Sequence, residues 1–173
     1  MYIVMLHDKT NPTLVALAVV RLADLPDYER DHLLEKCDDP LGPPAWVSRP
    51  RDLADMRIAL ITTAGLHFRD DPAFGLVDDG FRPIAGDEDP DQLVMSHSSV
   101  NFDRSGFQDD INTVFPLGRF RELEARGAIG SLAAVHYSFM GAGLPPKSYE
   151  GSVRGLAGML KQDEVDAVFL TPV

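Results

Sequence analysis

The 173-residue chain carries 27 acidic against 16 basic side chains, a net charge of -11, with 45% hydrophobic and 25% charged residues. A chain of this size and composition holds one ordinary globular core. Its negative field argues against nucleic acid or an anionic membrane as partner, and it has no run of about 18 apolar residues to span a bilayer.

Residues 2–6 read as a strand, followed by a turn at Asn11-Pro12 and an apolar stretch to Leu25 that fits either helix or strand. The opening residues lack a basic leader pattern, and a single cysteine, Cys37, forbids an internal disulfide. Both features lead us to expect a cytoplasmic protein. Residues 24–36 predict a helix, with Asp24 as cap, Pro26 in the first turn and Leu33-Leu34 on the inner face. The proline-rich residues 38–50 predict an extended connector anchored by Trp46.

Residues 57–63 form a short apolar run closed by Ala64-Gly65, the pattern of a buried central strand entering a tight turn. Residues 66–91 are rich in Asp, Gly and Pro and predict a long loop with room for one short strand. A second buried strand is expected at 93–96. Residues 117–126 place Leu117, Phe120 and Leu123 on one helical face, and Gly127 supplies the stop. The pattern over 132–140 is mixed, and 141–146 is a loop. Residues 149–162 predict a helix despite Gly151, Gly155 and Gly158, each costing about 1 kcal/mol relative to alanine, so packing has to compensate. A last strand covers 165–173. Strands separated by helices predict an α/β fold, a single domain with a mostly parallel sheet flanked by helices.

Several blocks carry a further signal. Pro43-Pro-Ala-Trp46 precedes Arg57-Ile-Ala-Leu-Ile-Thr-Thr-Ala-Gly-Leu-His67. Ser96-His97 with Phe102-Asp103 follows, then Asp110-Ile-Asn-Thr-Val-Phe-Pro116, the stretch from Arg121 to Gly130, and Tyr137-Ser-Phe-Met-Gly141. In this order they resemble the selenoprotein B family of glycine, sarcosine, betaine and D-proline reductases. The resemblance covers residues 43–173 and divides the chain into a reductase-like domain there and an N-terminal segment, 1–42, of unassigned role.

The resemblance implies a reductase component that cleaves a carbon–heteroatom bond in a small amino-acid-like substrate by attack of a selenolate or thiolate. Dithiols would supply the electrons, and a separate subunit would bear a pyruvoyl group. In the family pattern a selenocysteine or cysteine follows directly on the strand that here ends at Val173. This chain has neither, so it is expected to be cut short, for instance at a UGA codon read as a stop, to hold no cofactor of its own and to be inactive in this form. The alternative expectation is a noncatalytic module on the same scaffold that binds a small molecule or partner. A homo-oligomer formed through an exposed last strand is a third.

His67 and His97 each follow a predicted strand, at the edge where open α/β sheets gather their ligands. With Asp103 they are the catalytic candidates; Gly65, Asp110 and Asn112 are the substrate-binding ones. Each also has an ordinary reading, the histidines as strand-end caps and Asn112 as a helix cap. His67, His97 and His136 lie about thirty or more residues apart with no short paired-ligand motif, so no metal is expected. Cys37 is a poor substitute nucleophile, because Glu35, Asp38 and Asp39 beside it would raise a thiol pKa.

Overall fold

The computed structural model describes residues 21–37, 47–48, 51–99 and 104–173. The chain divides into two units, residues 1–47 and 48–173. In the first, a 3-10 turn at Leu22–Asp24 leads into helix α1 (Asp27–Cys37), where the sequence predicts a helix. α1 leaves Tyr28, Leu33 and Leu34 exposed, so the inner face expected at Leu33-Leu34 is not buried. Arg30 pairs with Asp27 and Asp31 along it. The strand expected at 2–6, the apolar stretch before Arg21, and Trp46 with most of its connector lie outside the described residues.

The second unit is an α/β sheet. In chain order its elements are β1 (Arg57–Thr62), β2 (Leu66–Phe68), β3 (Phe81–Ala85), β4 (Leu93–Met95), α2 (Ser105–Asp109), α3 (Leu117–Ala125), β5 (Ser131–Leu132), β6 (Val135–Phe139), α4 (Glu150–Gln162) and β7 (Ala167–Thr171). β1 is the central strand. Ile58, Ala59 and Leu60 are buried, as a continuous apolar run must be when both faces of a strand are covered. β7 pairs with it in parallel from Ile58–Ala167 to Thr62–Thr171. On the other side β5 covers Arg57 and Ile58, and β6 covers Ile61 and Thr62, both also parallel. β3 lies antiparallel beyond β6, and β2 with β4 forms a separate antiparallel ribbon.

The expected mostly parallel, helix-flanked sheet is therefore present, with one correction inside it. Residues 66–91 hold two strands, β2 and β3, where the composition predicts a loop with room for one. β3 forms at an edge, where Pro83 costs no ladder bond that a central strand would need. Phe81 then packs on Tyr137 and Phe139 at ring separations of 5.4 and 5.7 Å. This tertiary contact overrides a turn-like composition.

Successive β6 side chains point to opposite faces. Tyr137 and Phe139 meet Leu156 of α4, while His136 lies edge-on to Phe115 on the other face. There Phe115 and Leu117 join Leu60, Ala64 and Leu66 in the main core. α3 ends as predicted at Gly127, whose φ of +67° allows Gly127 N to donate to Glu124 O and Ala128 N to Leu123 O. In α4 Leu156 is buried against Tyr137 and Phe139, whereas a Cβ at Gly151, Gly155 or Gly158 would meet nothing within 4 Å. Replacing Gly155 and Gly158 by alanine should therefore add about 1 kcal/mol each and raise the melting temperature by several degrees. A calorimetric scan that shows no rise would count against a solvent-facing position for them.

The break between β5 and β6 leaves the Leu60 amide without a strand partner, and His136 fills the gap. Its Nδ1 accepts from Leu60 N at 3.1 Å, which satisfies a backbone donor in the middle of the core. The ring is fully buried. Burial, reinforced by the Arg121 charge, lowers its pKa to about 4. At the sheet's open edge, β7 leaves Val168, Phe169 and Leu170 exposed by 37, 44 and 65%. Among the described residues no helix is long and apolar enough to cross a membrane.

Candidate functional site

Beyond Thr62, β1 runs into Thr63-Ala64-Gly65, and this end of the strand brings together Gly65, His67 and His97 of the predicted residues. Gly65 has φ +65°, a conformation that glycine adopts without strain. Its N–H donates to Phe139 O, and its carbonyl accepts from Ser96 N, both at 2.9 Å. A Cβ at Gly65 would stand 3.0 Å from the His97 amide nitrogen. A glycine here therefore lets the chain leaving β4 pass directly against the end of β1. Leu66 N–H donates to the buried Ser138 hydroxyl at 2.7 Å, fixing the start of β2 over β6.

β2 and β4 bring their histidines to this edge from different strands. His67 is 4% exposed, and its Nδ1 lies 2.6 Å from the Phe68 carbonyl oxygen. A carbonyl can only accept, so Nδ1 carries the proton. Nε2 stands 2.7 Å from Ser96 Oγ. His97, 5% exposed, has the opposite arrangement. Its Nδ1 accepts from Ser99 N–H at 3.1 Å, which leaves the proton of the neutral ring on Nε2. Burial holds the His97 pKa below the ordinary histidine value, and the Arg104 charge adds to the shift. Arg104 also donates to the carbonyls of His97 and Ser99 at 2.7 Å each. The edge thus presents one imidazole protonated at Nδ1 and one protonated at Nε2, with opposite hydrogen-bonding polarity.

Asp103 falls outside the described residues. Asp110 and Asn112 make local bonds. Asp110 Oδ1 accepts from the backbone and side-chain nitrogens of Asn112 at 2.9 and 2.7 Å, and these bonds, with a smaller contribution from Arg119, lower the Asp110 pKa. Asn112 Oδ1 accepts from Arg119 N at 3.3 Å in the first turn of α3. The last residue, Val173, reaches the same end of β1 as the histidines. Its N–H donates to Thr63 Oγ1 at 2.9 Å, Thr63 N donates to Thr171 O at 3.1 Å, and the Val173 side chain packs on the main core.

An open polar depression of about 760 Å³ lies at the other end of β1, lined among others by Arg51, Arg57, Lys161, Asp163 and Asp166. Its charges largely pair with one another: Arg57 with Asp163, and Arg51 with Asp166 at 3.0 Å. We place the site instead at the carboxyl end of β1, where parallel sheets hold their ligands. Among the described residues no three His, Cys, Asp or Glu side chains converge as metal ligands. Ser96 is the polar residue that the sequence reading passed over. It stands immediately before His97 in the chain, but its bond to His67 spans 29 positions and exists only in the folded protein.

Comparison with known proteins agrees with this picture. Residues 13–173 match the family described as glycine/sarcosine/betaine reductase selenoprotein B. The chain is 38% identical over 131 residues to D-proline reductase subunit gamma of Acetoanaerobium sticklandii, covering 75% of this chain and 53% of that protein. It is 31% identical over 126 residues to glycine reductase complex component B subunit gamma of Symbiobacterium thermophilum, covering 70% of this chain and 29% of that protein. It is 29% identical over 125 residues to sarcosine reductase complex component B subunit beta of Peptoclostridium acidaminophilum, again covering 70% and 29%. The chain therefore spans about half the length of the first relative and under a third of the others. No solved structure matches it. With a family match over nearly the whole chain, this protein belongs to the glycine/sarcosine/betaine reductase selenoprotein B family.

Proposed function

We propose that the chain is part of a reductase component that cleaves a carbon–heteroatom bond in a small amino-acid-like substrate by selenol or thiol chemistry. The observation that carries this reading is the position of Val173. It is bonded to Thr63, two residues before Gly65, and Gly65 abuts the His97 backbone. A chalcogen supplied directly after Val173, where the family pattern has one, would enter the edge that holds His67, Ser96 and His97. When present, such a group supplies an anionic nucleophile, which a low pKa keeps ionised at neutral pH.

The chain's own residues do the remaining work. Gly65 lets the segment carrying Ser96 and His97 lie against the end of β1, and Thr63 holds the terminal strand in place. His97, neutral and buried, fixes the backbone at this edge through the bond from Ser99 N to its Nδ1. D-proline is the first substrate to try, because the relative named for it shares the highest identity among those compared, 38%. Glycine, sarcosine and betaine follow. A pyruvoyl-bearing subunit and a dithiol donor complete the system, and we place it in the cytoplasm.

The test appends a cysteine or selenocysteine after Val173 and assays dithiothreitol-dependent reduction of the four amines together with a pyruvoyl-bearing partner subunit. The extended chain should reduce one of them, and the 173-residue chain none. Turnover by the 173-residue chain, or silence from every extended form, would end this reading.

A further inference from the structure

The Ser96 hydroxyl has no part in the reading above, yet its surroundings are those of a proton donor. His67 is held at both ring nitrogens: Nδ1 donates to Phe68 O at 2.6 Å, and Nε2 meets Ser96 Oγ at 2.7 Å. The Phe74 ring packs edge-on against it at 6.2 Å, so the imidazole keeps one orientation. Because the Phe68 carbonyl fixes the ring proton on Nδ1, the neutral ring offers its Nε2 lone pair to the Ser96 O–H. When the ring is charged, Nε2 donates to Oγ and the Ser96 proton is free to move outward. His67 is 4% exposed, whereas Ser96 is half-buried. Ser96 is thus the more exposed member of the pair. Ser96 N is also bonded to Gly65 O, which ties that hydroxyl to the end of β1 where Val173 is anchored.

We propose that Ser96 and His67 form a proton relay in which Ser96 Oγ protonates the substrate carbon when its bond to nitrogen is replaced by a bond to hydrogen. The inference rests on the reductase reading and deepens it by naming the donor and the substrate class, a small amino acid whose nitrogen leaves as a neutral amine. Replacing C–N⁺ by C–H consumes two electrons and one proton. A chalcogen anion supplied after Val173 would bond to the carbon as the nitrogen departs with its bonding pair, and a thiolate of the dithiol would then attack that chalcogen and leave the carbon–chalcogen pair on carbon. The dithiol donor is oxidised to a disulfide, which supplies the two electrons and releases two protons. One of these is lost to solvent. The other recharges His67, passes from Nε2 to Ser96 Oγ, and the Ser96 proton forms the new C–H bond. Ser96 touches the reacting carbon and is the catalytic residue; His67 acts through it and is a positioning residue.

The experiment uses the extended chain with its partner subunit and D-proline in D2O. A fixed donor delivers deuterium to one face of the carbon, so the unsubstituted protein should give product with a single configuration at the deuterated centre. Ser96→Ala should lower kcat about 100-fold and yield both configurations, because solvent then protonates from either side. Ser96→Thr keeps the hydroxyl and should retain the single configuration. His67→Gln, which keeps a hydrogen-bonding side chain beside Ser96, should lower kcat with little change in KM for D-proline. An unchanged rate with unchanged stereochemistry in Ser96→Ala overturns the relay. If the unsubstituted assembly reduces none of the four amines, the reductase reading fails instead, and carbon protonation falls with it. The pair itself is then decided by nitrogen-15 NMR of the 173-residue protein. A neutral His67 protonated at Nδ1, with an Nε2 resonance that moves in Ser96→Ala, supports the pair. A ring protonated at Nε2 overturns it.

Discussion

Lowering the pH from about 6.5 to 4 should remove about 3 kcal/mol of folding stability through His136 alone. The folded-state pKa is pushed from 6.5 down to about 4, first by burial and then by the Arg121 charge. Across that window the unfolded chain binds a proton that the folded chain refuses. The stabilisation is therefore complete above 6.5, is lost as the pH falls, and changes no further below about 4. The bond from Leu60 N to His136 Nδ1 at 3.1 Å acts in the same direction as burial, because a protonated Nδ1 cannot accept it. Burial also lowers the His97 pKa, and its contribution has the same sign.

His136→Asn separates this effect from general acid titration. An asparagine carbonyl can take the position of Nδ1 and accept from Leu60 N, but it does not ionise. Urea unfolding of both proteins at pH 7 and pH 4.5 should show the unsubstituted chain losing distinctly more stability than the variant. Parallel losses would mean that His136 is not a buried neutral acceptor.

Phe115→Ala should cost about 3–5 kcal/mol, a large share of the 5–15 kcal/mol that typically separates folded from unfolded domains. The ring is fully buried, in the cluster that joins Leu60, Ala64 and Leu66 to Val114 and Leu117, and it packs edge-on to His136 at 5.9 Å. Thr62 Oγ1 donates to Val114 O at 2.8 Å, so the backbone beside the ring is tied to β1 and cannot easily collapse into the space left behind. Phe115→Leu keeps most of the volume and should cost under about 1.5 kcal/mol. A shift in the urea midpoint that is equally small for both variants would show that the site tolerates a cavity and that the ring is not a principal core element.

Much of the fold could be read from local pattern because the relevant interactions are local or periodic. The unbroken apolar run from Ile58 predicts a strand covered on both faces, and β1 is one. Leu117, Phe120 and Leu123 share a helical face, and Gly127 ends that helix because its backbone suits the left-handed turn. The site was legible only in part. His67 lies in β2, just past the end of β1, and His97 follows β4, so the family blocks that contain them come together at the end of β1. Asp103 lies outside the described residues, and Asn112 bonds within its own turn and to the start of α3.

The sequence by itself determined the family, the central strand, the helices α3 and α4, and the placement of two histidines behind strands, because apolar period, turn residues and ordered blocks are properties of neighbours along the chain. Folding alone decided that β3 would form despite its turn-rich surroundings, that His136 would replace a missing strand bond, and that Ser96 would meet His67. Each of these depends on groups 29 or more positions apart. Such contacts form only once burial has withdrawn water and left a backbone amide, a ring edge or an imidazole nitrogen to find its partner within the protein.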